Sequence, residues 1–297
     1  MAVVSFGHRY MVTYADIRRY QNRGLALRAR RFVRKTVLDV VSALSDERAL
    51  ERPRVQILFL HHVMADEERP FRALIERLLR RHTFLPYSEA VTRVISGDID
   101  RPYISVSFDD GLRSQLRAAE ILREYGISAC FFVSEGMLEG HSDAEVAEFC
   151  ARELGLPPLE LLTWSDVERL AAAGHEIGNH GRHHRVLAAL PSSELADEIA
   201  RALESLRRRL GKVDHFAWPR GWADAFSAAA AEEVFRAGHT SCASAIRGCH
   251  VPGPMRERRD VCLRRDPVIA ADPLRHTMYF LSKNSLSATD ATRDWPW

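Results

Sequence analysis

The chain has 297 residues, of which 46% are hydrophobic and 28% are charged. This composition excludes a mainly disordered protein and suits one large domain with a short appendage. The 42 Lys and Arg residues nearly balance the 40 Asp and Glu residues, and the resulting formal charge of +2 does not favour a nucleic-acid-binding protein.

No membrane or secretion signal is apparent in the sequence. It lacks the run of about 20 apolar residues that a membrane-spanning helix requires and the apolar core of a signal peptide. We therefore expect a cytoplasmic protein, with association at the cytoplasmic face of a membrane as the alternative. The 5 cysteines form no CxxC pair, which indicates free thiols rather than a disulfide framework or a cysteine zinc site.

The N-terminal region is rich in arginine. Between residues 14 and 46 the arginines alternate with Leu and Val at helical spacing, which predicts a helical segment with one basic face. We expect this segment to dock on the main domain; pairing with another chain and contact with an anionic membrane surface are the alternatives. The chain is accordingly divided into a basic helical extension (1–50), a main domain (51–275) and a C-terminal tail (276–297).

The main domain alternates short β-rich runs with longer helical patterns, which predicts βα units and a largely parallel sheet. The predicted strands are 55–60, 103–108, 129–133, 176–177 and 216–218. The predicted helices are 71–79, 112–125, 143–154, 164–173, 192–210 and 223–237.

Polar clusters directly follow four of the predicted strands. They are His61-His62, Asp109-Asp110-Gly111, His180 to His184, and Pro219-Arg220-Gly221. Because the loops after parallel strands open on one face of the sheet, we expect these groups to converge there.

Two of these clusters have the chemistry of a metal site. Asp109 and Asp110 are adjacent carboxylates that point in different directions, so that one can hold a cation while the other accepts a proton; a helix cap and turn is the alternative. His180 and His184 are four residues apart, which on a helical turn places both imidazoles within reach of one ion. One Asp and two His form the three-ligand set of a catalytic zinc-type site with a position left for water.

Three segments of the chain carry a family resemblance. They are Ser107-Phe-Asp-Asp-Gly111, Gly178-Asn-His-Gly-Arg-His-His184 and Phe216-Ala-Trp-Pro-Arg-Gly221. In this order and at these separations they resemble the first three motifs of the polysaccharide deacetylases, which include the NodB homology domain and form carbohydrate esterase family 4. The resemblance extends from about Ile57 to Val268. It implies an α/β fold, a distorted (β/α)7 barrel, here with the N-terminal helical extension beside it.

The resemblance also implies a metal-dependent reaction. Asp110, His180 and His184 would hold a divalent metal, with Zn2+ favoured by ligand chemistry and Co2+ or Ni2+ as alternatives. Asp109 would be the catalytic base that deprotonates a metal-bound water as it attacks a carbonyl. The implied substrate is an N-acetylated amino sugar in a polysaccharide, an oligosaccharide or a glycan precursor, and its acetamide is hydrolysed.

Further roles follow from the same resemblance. Trp218, Pro219 and Arg220 would line the substrate, and the backbone N–H at Arg220 would stabilise negative charge on the carbonyl oxygen. His61 would protonate the departing amine, with His276 and His62 as alternatives.

The sequence departs from the family pattern in two places. Many members carry an Arg where this chain has Ala217, and we predict that Arg265 replaces it in orienting Asp109. The late Leu-x-x-His motif has no counterpart other than Leu274-Arg-His276. The alternative function is therefore that of a catalytically silent barrel that binds glycans or forms a complex. A third candidate is a protein that binds nucleic acid or a membrane surface.

Overall fold

The computed structural model describes residues 10–21, 25–253 and 262–286. Its centre is a 9-stranded sheet in which every strand pairs with its neighbours in parallel. The strands are β1 (Arg54–Leu60), β2 (Thr83–Phe84), β3 (Pro102–Phe108), β4 (Cys130–Val133), β5 (Glu176–Asn179), β6 (His215–Ala217), β7 (Ser241–Ala243), β8 (Cys262–Leu263) and β9 (Arg265–Pro267). The predicted parallel α/β architecture is confirmed.

The strand order nearly closes the sheet into a barrel. It runs β8-β7-β6-β5-β4-β3-β1-β9, and β2 pairs additionally with β3. The end strands β8 and β9 are separated only by Arg264, and they pair with β7 and β1, respectively. The two ends of the sheet are thus consecutive in the chain, which gives the predicted distorted (β/α)7 barrel.

Helices surround this sheet. They are α1 (Tyr14–Gln21), α2 (Leu25–Ala43), α3 (Glu68–Leu79), α4 (Tyr87–Ser96), α5 (Gln115–Glu124), α6 (Asp143–Phe149), α7 (Trp164–Ala172), α8 (Ser192–Ala196), α9 (Ala202–Leu210), α10 (Ala228–Ala237) and α11 (Leu274–Leu286). A π-helical turn, Asp197–Arg201, joins α8 to α9, so the predicted helix over 192–210 is continuous. Among the helices described, none is both long and apolar enough to cross a membrane.

Burial on both faces explains why β1 is mostly apolar. Leu58 and Leu60 pack outward into the cluster that contains Phe71 of α3, whereas Val55 and Ile57 pack into the cluster inside the barrel. Alternation of side chains along the strand produces this division. Because the strands are parallel, the polar residues that follow β1, β3, β5 and β6 meet at the carboxyl end of the barrel.

The predicted C-terminal boundary lies inside a helix of the structure. Position 276 falls inside α11, whose residues Met278 and Leu281 are buried in the main apolar cluster. The same helix packs along the N-terminal extension, where His276 Nε2 lies 2.7 Å from Asp39 Oδ1 of α2. Residues 276–286 therefore belong to the folded domain, because a helix that buries apolar side chains is not a separate tail.

Candidate metal centre and active site

The three predicted metal ligands come together at the carboxyl end of the barrel. Asp110 follows β3, and His180 follows β5. Asp110 Oδ1 lies 3.3 Å from His180 Nε2 and 3.2 Å from His184 Nε2. All three side chains are buried, and one ligand atom from each lies within 4.8 Å of the others.

The hydrogen bonding of this cluster fits a divalent cation. His180 Nδ1 lies 2.7 Å from the carbonyl oxygen of Ala217, so Nδ1–H donates this bond and Nε2 presents its lone pair to Asp110. Such a bond to the far nitrogen is the usual way in which a metal-binding histidine is oriented. When the ring is neutral, a cation between Nε2 and the Asp110 carboxylate would satisfy both of these buried lone pairs. Imidazole and carboxylate ligands suit Zn2+, Co2+ and Ni2+.

The electrostatics of the cluster keep its carboxylate ionised. Burial raises the pKa of Asp110, but the imidazoles of His61, His180 and His184 outweigh burial and hold this pKa well below its ordinary value. Burial lowers the pKa of His180, whereas the Asp110 hydrogen bond and the Asp109 charge raise it and prevail. Asp110 is therefore anionic at neutral pH, the state in which a carboxylate binds a cation.

Backbone strain is concentrated in the same place. In the described ranges, the non-glycine residues with positive φ are Asp110 (75°), His184 (59°) and Arg220 (67°). The left-handed conformation costs a non-glycine residue roughly 1–2 kcal/mol, and such costs are typical of functional sites. All three residues line one cavity. This indicates that the fold holds a strained backbone there in order to position these side chains, at a cost in local stability.

Asp109 has a different environment from its neighbour. Both its carboxylate oxygens accept hydrogen bonds from Arg265, from Nη1 to Oδ1 at 2.7 Å and from Nη2 to Oδ2 at 2.8 Å. Arg265 is fully buried; its Nε donates to the carbonyl oxygen of Ser244 at 2.8 Å, and its guanidinium lies 4.7 Å from the Phe59 ring centroid and 5.2 Å from that of Phe132. This bidentate pair fixes the orientation of the carboxylate.

The structure thus brings Arg265 to Asp109, as predicted for the replacement of the missing arginine. Burial lowers the pKa of Arg265, but the charge and hydrogen bonds of Asp109 outweigh burial and raise it. Ala217, which stands at the usual arginine position, packs in the apolar cluster inside the barrel. The guanidinium that pairs with Asp109 comes from β9 in this chain, instead of from the β6 position that is usual in the family. Its place in the sequence therefore differs, but the pairing of arginine with aspartate is the same.

The three candidate acids lie in different surroundings. His61 lines the cavity with its Nε2 4.0 Å from Asp110 Oδ2 and its side chain 46% exposed; the surrounding protein still desolvates the ring enough to lower its pKa, against the effect of Asp110. His62 also lines the cavity, but its Nδ1 is paired with Glu67 Oε2 at 2.6 Å. His276 lies on α11 against α2 and does not line the cavity.

The cavity at this centre has a volume of about 360 Å³, which is within the size range of small-molecule sites. Trp218 and Arg220 line it, and the Trp218 ring stacks on Phe226 with centroids 4.3 Å apart. Pro219, between them in the chain, does not line it. The substrate-binding roles of these three residues stay predictions.

Part of the wall comes from the N-terminal extension, which sequence reasoning missed. Tyr14, Ile17 and Gln21 of α1 line the cavity. The Asp66 carboxylate anchors this helix by accepting hydrogen bonds from Tyr14 N at 2.7 Å and from Ala15 N at 3.1 Å. No local sequence signal could reveal this contact, because Asp66 lies 52 residues beyond Tyr14 in the chain.

Comparison with known proteins gives the family. Residues 96–239 match the family model for polysaccharide deacetylase. These residues form a polysaccharide deacetylase domain. Members of this family are hydrolases that act on non-peptide carbon–nitrogen bonds, and this chain is placed among them. A comparison with curated protein sequences finds no match.

Solved structures show the same deacetylase fold. IcaB from Ammonifex degensii is similar at 20% identity and a TM-score of 0.62, over 77% of this chain and 97% of that one. The Streptococcus pyogenes deacetylase PplD, solved with acetate, is similar at 15% identity and a TM-score of 0.57, over 81% and 98%. The Bacillus cereus polysaccharide deacetylase BC0361 is similar at 16% identity and a TM-score of 0.59, over 78% and 69%.

Proposed function

We propose that this deacetylase is metal-dependent and hydrolyses the acetamide of an N-acetylated amino sugar in a polysaccharide, an oligosaccharide or a glycan precursor. The observation that carries this proposal is the convergence of Asp110, His180 and His184 in a cavity that is also lined by Asp109. Family membership supplies the reaction class, and the cluster supplies the requirement for a metal.

The metal would be held by Asp110, His180 and His184, with Zn2+ as the expected ion. A divalent cation bound there supplies Lewis-acid chemistry, since it lowers the pKa of water and polarises a carbonyl oxygen. The bond between His180 Nδ1 and the Ala217 carbonyl keeps Nε2 available for this role.

Asp109 is the proposed base. It lies beside Asp110 in the chain, but its carboxylate is held by Arg265 rather than by the histidines. The buried guanidinium stabilises the anionic form and prevents the carboxylate from rotating. Asp109 can therefore accept a proton from the attacking water in a fixed geometry, and Arg265 acts as a positioning residue.

His61 is the proposed donor of a proton to the departing amine. Its imidazole lines the cavity beside the metal ligands, whereas His62 is held by Glu67 and His276 lies outside the cavity. The backbone at Arg220, in its left-handed conformation, is the proposed donor to the developing oxyanion.

Aromatic side chains in the wall support a saccharide as substrate. Trp222 lines the cavity and is well exposed, and Trp218 lies next to it with its Nε1 donating to the Trp222 carbonyl oxygen at 3.0 Å. An indole presents a flat apolar face together with a polar edge, a combination that suits sugar rings. The acetate in the similar PplD structure is the product that removal of an acetyl group releases. The expected cytoplasmic location stays a prediction.

Metal analysis combined with acetate detection tests the proposal. We expect the purified protein to contain bound zinc and to release acetate from at least one member of a panel of N-acetylated saccharides. A chelator should stop this release, and added Zn2+ should restore it. Bound metal without acetate release from any N-acetylated chito-oligomer or lipid-linked saccharide would favour a silent glycan-binding barrel instead.

A further inference from the structure

Helix α2 turns a continuous apolar stripe toward solvent. The stripe consists of Val33 (60% exposed), Val37 (55%) and Val40 (56%), with Phe32 (72%) beside its N-terminal end and Leu44 (82%) directly after the helix. Val33, Val37 and Val40 recur at the spacing of one helical face. Because soluble monomers rarely expose a contiguous apolar patch, such a surface marks an interaction site.

The polar side of the same helix is the side that docks on the barrel domain. Asp39 pairs with Arg275 and His276 of α11 and with Lys35 within α2, and Ser42 is buried. A surface helix normally turns its apolar face inward and its polar face outward. The reversed orientation of α2 leaves the stripe without a partner in the described part of the chain.

The charges around the stripe are basic. Arg30 and Arg34 are exposed, lie one helical turn apart and precede Val37 and Val41 by two turns on the same side of the helix. The single acidic residue of α2, Asp39, is occupied by α11. This surface therefore presents apolar and cationic groups together, and the acidic group that interacts with Arg34 is Asp272, ahead of α11.

We propose that α2 binds the surface of an anionic lipid bilayer. The stripe would enter the boundary between headgroups and acyl chains, and Arg30 and Arg34 would contact the lipid phosphates. A helix of this kind lies in the plane of the interface and does not cross it. The charge complementarity favours a lipid surface over a second copy, because two such basic faces repel each other.

Vesicle co-sedimentation of the full chain tests this assignment. We expect binding to vesicles of phosphatidylcholine and phosphatidylglycerol in equal parts, and binding weaker by about tenfold to pure phosphatidylcholine. High salt should reduce the binding to anionic vesicles, because it screens exposed charges. Equal binding to both vesicle types, or no binding to either, would overturn the proposal.

Matched variants locate the surface. Phe32→Ser combined with Val37→Ser, and Arg30→Gln combined with Arg34→Gln, should each weaken vesicle binding by about tenfold. The controls are Leu79→Ser at an exposed leucine of α3 and Arg208→Gln at an exposed arginine of α9, which should leave binding unchanged. Thermal unfolding checks that every variant is folded, as expected for exposed positions.

Two outcomes of the variant series contradict the assignment. If the α2 variants bind vesicles as well as the controls do, another surface carries the binding. If the protein is a dimer without lipid, and Phe32→Ser with Val37→Ser makes it monomeric without any vesicle binding by the parent, the stripe pairs with a second copy.

Discussion

The strand ends of the barrel and the N-terminal extension hold their functional residues in different ways. At the strand ends Asp109 and the three candidate metal ligands are buried, and they are attached to a sheet whose strands pair directly, as Asp109 is held by Arg265 from β9. The extension is attached from outside the sheet, through contacts that include those of Asp66 with α1 and Asp39 with α11. The catalytic residues are therefore held by the rigid sheet. The helices of the extension form a wall of the cavity and an outer surface, and substitutions in them should affect the barrel less.

The largest effect is expected at the metal ligands. Asp110→Ala and His180→Ala should each abolish metal binding and lower kcat/KM by about three orders of magnitude or more, because a three-ligand site cannot spare a ligand. Metal analysis and acetate release measure both effects. Full metal retention by either variant would contradict the ligand set.

Asp109→Asn is the matched control at the neighbouring carboxylate. It should retain the metal and lower kcat by about 10²–10⁴-fold, since an amide cannot accept the proton. The comparison with Asp110→Ala separates the two carboxylates, because metal content falls in one variant only. An active Asp109→Asn enzyme would remove this residue from the role of base.

His61→Ala should also slow the reaction by about 10²–10⁴-fold with a sugar amide as substrate. With p-nitrophenyl acetate the loss should be small, because the p-nitrophenolate leaving group departs without a proton. The measurement is the ratio of the rate with the sugar amide to the rate with p-nitrophenyl acetate, determined for each enzyme on a single preparation. An unchanged rate on the sugar amide would transfer the role of acid to His62.

Arg265→Lys tests the positioning of the base. The variant keeps the charge but loses the bidentate hydrogen bonds, and kcat should fall by up to about 10²-fold with KM unchanged, as expected for a misplaced catalytic group. Arg265→Met should instead destabilise the protein by about 3–5 kcal/mol, because it leaves the Asp109 carboxylate buried without its partner. Steady-state kinetics and denaturant unfolding distinguish the two effects, and a normal kcat in Arg265→Lys would argue against a positioning role.

The smallest effect is expected at the extension. Asp66→Ala removes the carboxylate that caps α1, at a cost of about 1 kcal/mol, and the loosened wall should raise KM several-fold while metal content and kcat stay the same. Glu89→Ala, at a carboxylate of α4 that does not line the cavity, is the control. A fall in kcat with KM constant would show that α1 affects the chemistry rather than the wall.

Short-range patterns in the sequence were sufficient for much of the barrel. The apolar run of β1 predicts a strand buried on both faces, and the alternation of strands and helices predicts parallel pairing. The sequence also places four polar residues directly after strands: Asp109, Asp110 and the two histidines. Because the loops after parallel strands share one face, this position predicts that they converge. These inferences need windows of only a few residues, over which backbone periodicity and residue type are directly linked.

The tertiary structure alone decided the contacts between distant segments. The pairing of Arg265 with Asp109 spans 156 residues, the attachment of α1 to Asp66 spans 52, and the docking of α11 on α2 decides which face of α2 is exposed. The amphipathic pattern of α2 predicts a helix, but it did not determine which face of that helix docks on the barrel. Such contacts depend on how the whole sheet closes and on which surfaces it leaves for other elements to cover. The outcome is set by the sum of many packing energies, which no local sequence pattern contains.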